Sequence, residues 1–381
     1  MDSIANTVQI PVIDISDANA DAPQQLLDAA VHYGFVFVAN NEAGISPDLI
    51  KKLFQISQEF FALPREVKEA VSINSNKAGK NHGWLSQGVE KLDPQGQKRP
   101  DVKEAFNLSL PTPNGTFDQP LPQLFQTHIS DLITFETACY HFCQRLLTHF
   151  ATALEIPSDW FTSRHDISSG KPAGSVFRLL YYPQRRRRST TKPTTTMELT
   201  NDDDDVDDEE GDEEDIRAGA HSDYGSLTCL FQQPGGPPGL EIKSPDDNGE
   251  WAAVPVNPLM NHDNNNNVEN SNSSPLPILV NIGDLLEDWT GGLLKSTVHR
   301  VVFPHNNTKK NEKKKKESDR YSLAYFCHPL DEVLLEPVPS RKIPVEGGMN
   351  KKKKKKTVGG QEETMTARDH LMERLAATYK V

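Results

Sequence analysis

From residue 174 onward the chain reads as a run of short β-rich segments, and this pattern limits the fold more than any other feature. The segments are 176–182, 226–232, 240–243, 251–256, 278–282, 294–303 and 320–327, with Gly, Pro and Asn between them. None is long enough to bury a core alone. Many short strands with turn signals predict a closed sandwich or jelly roll. The earlier part predicts a strand at 10–15, a helix over 22–33 ended by Gly34, a buried strand at 35–38 and a helix over 47–62. Segment 63–118 reads as irregular. Leu121, Phe125, Ile129, Leu132, Phe135, Cys139, Phe142, Leu146 and Phe150 step by three and four, which predicts one long helix over 121–155. An amphipathic helix is expected over 366–379. The expected class is mainly β with flanking helices.

Four tracts resist packing: 185–215, 261–274, 306–317 and 347–361. Like-charge blocks repel themselves, and polar runs bury too little apolar area to offset their ordering entropy. They are expected as loops or insertions. The organisation predicted is an N-terminal region over 1–120, a long helix and connection over 121–173, a β core over 174–335 carrying the first three tracts, and a tail over 336–381 with a Lys-rich loop and a helix. The charges of the four tracts cancel, so the rest of the chain carries the whole net charge of −13. An acidic body argues against nucleic acid and against an anionic membrane surface. No apolar run approaches the roughly 18 residues of a spanning helix. Four cysteines are too few for a disulfide framework at this length. The expectation is a cytoplasmic monomer. The six lysines at 351–356 read as a nuclear address, a phosphate-binding patch or a solvated loop, the loop being preferred.

Three places could carry chemistry. His221-Ser-Asp223 puts two metal-binding groups two residues apart, on one side of an extended chain; the plain alternative is a surface His near an Asp. His299 stands in an otherwise apolar strand, where its ring needs a partner. That partner is backbone in one reading and a metal in the other. Two His and one carboxylate leave open positions on an iron. Arg320 and Ser322 share the inward face of the last strand with Ala324 and Phe326. A guanidinium there needs an anion, from a salt bridge or from a bound carboxylate. The spacing of His299 and Arg320 predicts neighbouring strands.

Several motifs recur in the order of a known family. They are Ile10-Pro-Val-Ile-Asp-Ile15, Tyr33-Gly-Phe-Val-Phe37, Lys103-Glu-Ala-Phe-Asn107, Tyr181-Tyr-Pro183, His221-Ser-Asp-Tyr-Gly-Ser-Leu-Thr228, Val280-Asn-Ile-Gly-Asp284 and Ser296-Thr-Val-His-Arg300. With them the chain resembles the 2-oxoglutarate/Fe(II)-dependent dioxygenase superfamily, in the branch that includes isopenicillin N synthase. Leu180 stands where plant members often carry Asn.

The resemblance implies a double-stranded β-helix in which His221, Asp223 and His299 hold Fe(II). It implies that Arg320 and Ser322 hold the distal carboxylate of 2-oxoglutarate, with Tyr182 nearby. It also implies O2 as oxidant, ascorbate as supporting reductant, and a small metabolite that is hydroxylated, desaturated or cyclised with release of succinate and CO2, as in secondary metabolism. Arg178, Phe326 and Phe106 are the expected substrate contacts, Arg178 for an acidic group. Two alternatives stand beside this: an isopenicillin-N-synthase-like oxidase that does not use 2-oxoglutarate, and a catalytically silent scaffold.

Overall fold

The computed structural model describes residues 7–41, 43–75, 81–93, 96–97, 100–184, 216–246, 248–260, 275–303, 318–343, 355–358 and 361–378. The tracts at 185–215, 261–274 and 306–317 lie outside these residues.

The N-terminal region opens with strand β1 (Val12–Ile13), helix α1 (Ala22–His32), β2 (Phe35–Val38), α2 (Pro47–Ala62) and the short α3 (Arg65–Glu69). Gly34 ends α1 with φ +68°, and a Cβ there would lie 2.3 Å from the Lys295 carbonyl oxygen, so only glycine fits between α1 and β2. Ser46 caps α2 by accepting from the Leu49 N–H at 3.4 Å, and Pro47 occupies the first turn. Segment 63–118 is more regular than its Gly and Pro content suggests. It supplies β3 (Gly83–Leu85) and β4 (Glu104–Ser109), which extend the main sheet.

The long helix is present but broken. α4 (Gln123–Thr127) and α5 (Ile129–Ala153) meet at His128, whose φ of −107° and ψ of 22° leave the helical region. The apolar stripe runs through both pieces and so hides the break.

The strands that follow are β5 (Val176–Tyr182), β6 (Ile216–His221), β7 (Leu227–Gln232), β8 (Leu240–Lys243), β9 (Trp251–Ala253) and β10 (Ile278–Ile282). After α6 (Asp284–Trp289) come β11 (His299–Val302) and β12 (Arg320–Cys327). The major sheet runs β1-β2-β10-β7-β12-β5-β4-β3 and the minor sheet β6-β11-β8-β9. Last come β13 (Lys355–Val358), β14 (Gln361–Thr364) and α7 (Ala367–Thr378). β13 and β14 form a hairpin, so part of the Lys-rich tract is strand and not loop.

Period-two alternation divides the core. On β12, Leu323, Tyr325 and Cys327 face the helices, packing in one apolar cluster with Phe135, Phe142 and Leu146 of α5. Ala324 joins the second cluster, between the sheets, with Leu180, Tyr182, Ala218, Ile242 and Val301. The major sheet thus has a dry helix-covered face and an inner face on the sandwich interior. Any polar side chain on that inner face stands where an apolar one is the rule, and these positions build the site.

One neighbour relation differs from expectation. β11 pairs with β6 and β8 in the minor sheet, whereas β12 belongs to the major sheet. His299 and Arg320 therefore face each other across the sandwich. The connection between them changes sheets, so spacing alone misreads it as a hairpin.

Candidate active site

The antiparallel register sets His299 directly opposite His221. Their rings lie 4.3 Å apart, centroid to centroid. Asp223 sits just beyond the end of β6, and its Oδ1 is 3.9 Å from His221 Nε2 and 3.8 Å from His299 Nε2. The three ligand atoms lie within 4.8 Å of one another, a spacing that one ion can span.

Surrounding groups aim these atoms. His221 Nδ1 is 2.7 Å from the Gly219 carbonyl and His299 Nδ1 is 3.1 Å from the Thr297 carbonyl. Each carbonyl takes the Nδ1 proton, which leaves Nε2 with its lone pair free to bind metal. Asp223 Oδ2 accepts from Thr228 Oγ1 and Asn281 Nδ2, both at 2.7 Å, which leaves Oδ1 for the ion. Burial and then the neighbouring His299 push His221 down to about 4, so the ring is neutral at ordinary pH. Burial alone would raise Asp223, but His299, His221 and the two hydrogen bonds hold it below its ordinary value. Two imidazoles and one carboxylate, each with one unused donor atom, fit Fe(II).

Next to this cluster is an inner cavity of about 70 Å³ lined by Tyr182, Arg320, Ser322 and Phe326 as well as the three ligands. Arg320 is 3 % exposed. Its guanidinium donates to Ser322 Oγ at 2.8 Å and lies 5.0 Å from the centre of the Tyr182 ring. No carboxylate among the described residues pairs with it, so the salt-bridge alternative finds no partner there. A buried cation without a counter-ion is costly, and a ligand carboxylate supplies what it lacks.

An outer cavity of about 220 Å³ opens from His221 and Asp223. Phe326 lines both spaces. Arg178 does too, but its charge is met: Nη2 lies 3.0 Å from Glu90 Oε1, and Nε donates to Asn107 Oδ1 at 2.6 Å. Glu90 also meets Lys103 at 3.1 Å, and Lys103 meets Asp101. Burial would lower the Lys103 ammonium, yet Glu90 and Asp101 hold it above its ordinary value. Two cations and two anions balance, so Arg178 does not present the open cation expected for an acidic substrate.

Phe106 is not in either cavity. It is fully buried on the helix side of β4, edge-on to Phe60 at 5.0 Å and to Phe125 at 4.9 Å. Period two explains the correction, because Asn107, its neighbour, is the residue of β4 that reaches the outer cavity.

Other contributors carry little sequence signal. Thr228 and Asn281 lie inside the family motifs with no role evident from pattern. Glu90 comes from an irregular loop. His328 follows β12, and burial together with nearby His370 and His165 pushes it down to about 3, so it is neutral. Helix α7 lays Leu371, Met372 and Leu375 along the outer cavity. Its Arg374 pairs with Asp284 and donates to Ser222 Oγ at 3.3 Å, between two of the ligands.

Two family models match the chain. One, described as non-haem dioxygenase in morphine synthesis N-terminal, covers residues 10–127. The other, the 2OG-Fe(II) oxygenase superfamily, covers 173–329 and so spans all three metal-site residues. The chain belongs to the 2OG-Fe(II) oxygenase superfamily. The dioxygenase is 31% identical to UPF0676 protein C1494.01 of Schizosaccharomyces pombe, over 98% of this chain and 94% of that one. It is 30% identical to the 2-oxoglutarate-dependent dioxygenase ecdK of Aspergillus rugulosus, over 80% and 82%. Among solved structures, Neurospora crassa T7H in complex with alpha-KG matches with a TM-score of 0.68 and 26% identity, over 97% of this chain and 96% of that one. The same Neurospora protein is also known with alpha-KG and thymine. The family uses Fe(II) and 2-oxoglutarate with O2 to oxidise small molecules, and the jelly-roll core is the fold of these relatives.

Proposed function

We propose that this dioxygenase oxidises a C–H bond of a small uncharged metabolite, with release of succinate and CO2. His221, Asp223 and His299 hold Fe(II) through Nε2, Oδ1 and Nε2. Arg320, with Ser322 and Tyr182, holds the distal carboxylate of 2-oxoglutarate. The observation that carries this reading is the pairing of two incomplete sites in one cavity: a three-ligand cluster and, across the sandwich, a buried guanidinium with no carboxylate partner among the described residues. One co-substrate with a chelating end and a carboxylate end completes both.

When bound, the iron and 2-oxoglutarate supply oxidative chemistry that no side chain can. The chain's own part is to bind, orient and enclose. Arg320 would hold the distal carboxylate of the co-substrate with charge-assisted hydrogen bonds, in the same cavity that the three metal ligands line. Thr228 and Asn281 hold Asp223 in one rotamer. Phe326 and α7 exclude water from the outer cavity, where the substrate sits next to the metal ligands. The neutral substrate is supported by the balanced Arg178–Glu90–Lys103–Asp101 network. Thymine, held by the Neurospora neighbour, is one uncharged molecule to try. Relatives named as 2-oxoglutarate-dependent favour this reading over an oxidase that takes its electrons from substrate alone.

The test is to mix the protein anaerobically with Fe(II), ascorbate and 2-oxoglutarate, then admit O2 with a metabolite extract. Succinate formation that depends on the extract is expected. Substrate loss and O2 uptake that proceed without 2-oxoglutarate would show the oxidase instead.

A further inference from the structure

His328 is built into the wall of the outer cavity with unusual care for a residue outside the metal site. It is 4 % exposed. Its backbone is held on both sides by one hydroxyl: the His328 N–H donates to Ser175 Oγ at 2.9 Å, and that hydroxyl donates to the His328 carbonyl at 3.3 Å. The ring fits between two glycines. A Cβ on Gly225 would lie 2.9 Å from ring atoms Cδ2 and Nε2, and one on Gly174 would lie 3.3 Å from Cγ. Neither glycine adopts a positive φ. Their lack of a side chain leaves room for this ring together with the Cys327 carbonyl, 2.6 Å from a Cβ on Gly225, and Leu371 Cδ2, 2.5 Å from one on Gly174.

A ring fixed so firmly would normally spend its nitrogens on protein partners. Among the described residues neither ring nitrogen of His328 has one. The ring instead lines the outer cavity with Tyr224, Phe326 and Leu371. A neutral imidazole offers one donor and one acceptor. Its surroundings offer apolar surface. Together they suit an uncharged molecule with a carbonyl or N–H at one edge and a hydrocarbon body.

We propose that His328 is a substrate-positioning residue that hydrogen-bonds a carbonyl or N–H of an uncharged, amide-like metabolite and thereby selects the carbon that faces the metal. This rests on the dioxygenase reading above and names the chemistry of its substrate.

The experiment uses the full chain and a soluble metabolite extract split by ion exchange into anionic, neutral and cationic pools. Wild type is compared with His328→Phe, which keeps a ring but removes both nitrogens, and with His328→Gln, which restores a donor and an acceptor. The neutral pool should drive succinate formation. His328→Phe should raise the half-saturating amount of that pool by about tenfold or more. The visible absorption of the iron–2-oxoglutarate complex and the extract-independent consumption of 2-oxoglutarate should stay unchanged. His328→Gln should recover most of the loss. Should the Phe variant not fold, His328→Leu against His328→Gln gives the same contrast. An unchanged response in His328→Phe, equal loss in the Gln variant, or turnover with the anionic pool alone overturns the inference. Normal iron–2-oxoglutarate absorption with no active pool overturns it as well, while leaving the metal site standing. Absence of that absorption in wild type sinks the dioxygenase reading itself.

Discussion

Replacing Arg320 with Met separates a co-substrate anchor from a structural ion pair, because the two roles predict opposite effects on stability. The guanidinium is 3 % exposed, is pulled below its ordinary value by burial, and has Ser322 and Tyr182 but no carboxylate beside it among the described residues. Its burial is therefore a cost to the ligand-free protein that the Met variant removes. The melting temperature without 2-oxoglutarate should hold or rise. Binding of 2-oxoglutarate should suffer as it does when one partner of a buried charge pair is lost, by about 2–5 kcal/mol. That corresponds to roughly 30- to 5,000-fold in dissociation constant. Calorimetric titration of 2-oxoglutarate into Mn(II)-loaded protein measures the affinity, and thermal melts of the free variants measure the stability. A melting temperature several degrees lower with affinity nearly intact would refute the reasoning and make Arg320 a structural residue.

Three further outcomes follow from the same geometry. Thr228→Val removes one of the two hydrogen bonds to Asp223 Oδ2, and Mn(II) affinity measured by titration should fall about 10- to 100-fold with the fold intact. Phe106→Ala should cost about 3–5 kcal/mol in urea unfolding, while the half-saturating substrate concentration stays unchanged; a change confined to that constant would restore Phe106 to the substrate site. Buried His165 is lowered to about 4 by burial, with its Nε2 2.8 Å from Ser226 Oγ. The unfolded chain thus binds more protons below pH 6.5, so this stabilisation is complete above that pH and is lost as pH falls toward 4. Metal-free wild type should lose up to about 1.4 kcal/mol more per pH unit than His165→Asn between pH 6 and 5, and equal slopes in the two would contradict the assignment.

Much of this site was legible in the sequence because it is built on regular strands. Period two assigned Arg320, Ser322, Ala324 and Phe326 to one face, and the motifs around His221 and His299 supplied the family. Where regularity stops, legibility stops with it. Glu90 lies in an irregular loop, and its pairing with Arg178 spans 88 residues, so no local pattern announces it. β3 and β4 were hidden by Gly and Pro at their flanks, and with them the parity that sends Phe106 outward and Asn107 inward. The break at His128 is silent because the apolar stripe continues through it. The misjudged relation of β11 and β12 has a similar origin: chain separation bounds distance, but it does not say whether a connection turns within a sheet or crosses to the facing one. α7 reads as an ordinary terminal helix, and only the fold brings Leu371 to the cavity and Arg374 to Ser222.

The central claim is that one cavity holds the metal at His221, Asp223 and His299 and the co-substrate at Arg320. Anaerobic addition of 2-oxoglutarate to the Fe(II)-loaded protein tests it most directly, through the visible absorption that arises only when the keto acid chelates the iron. The band should appear with wild type, be absent with Asp223→Ala, and require much more 2-oxoglutarate with Arg320→Met. A wild-type protein that gives no band, or a His221→Ala, His299→Ala double variant that still gives one, would contradict the account.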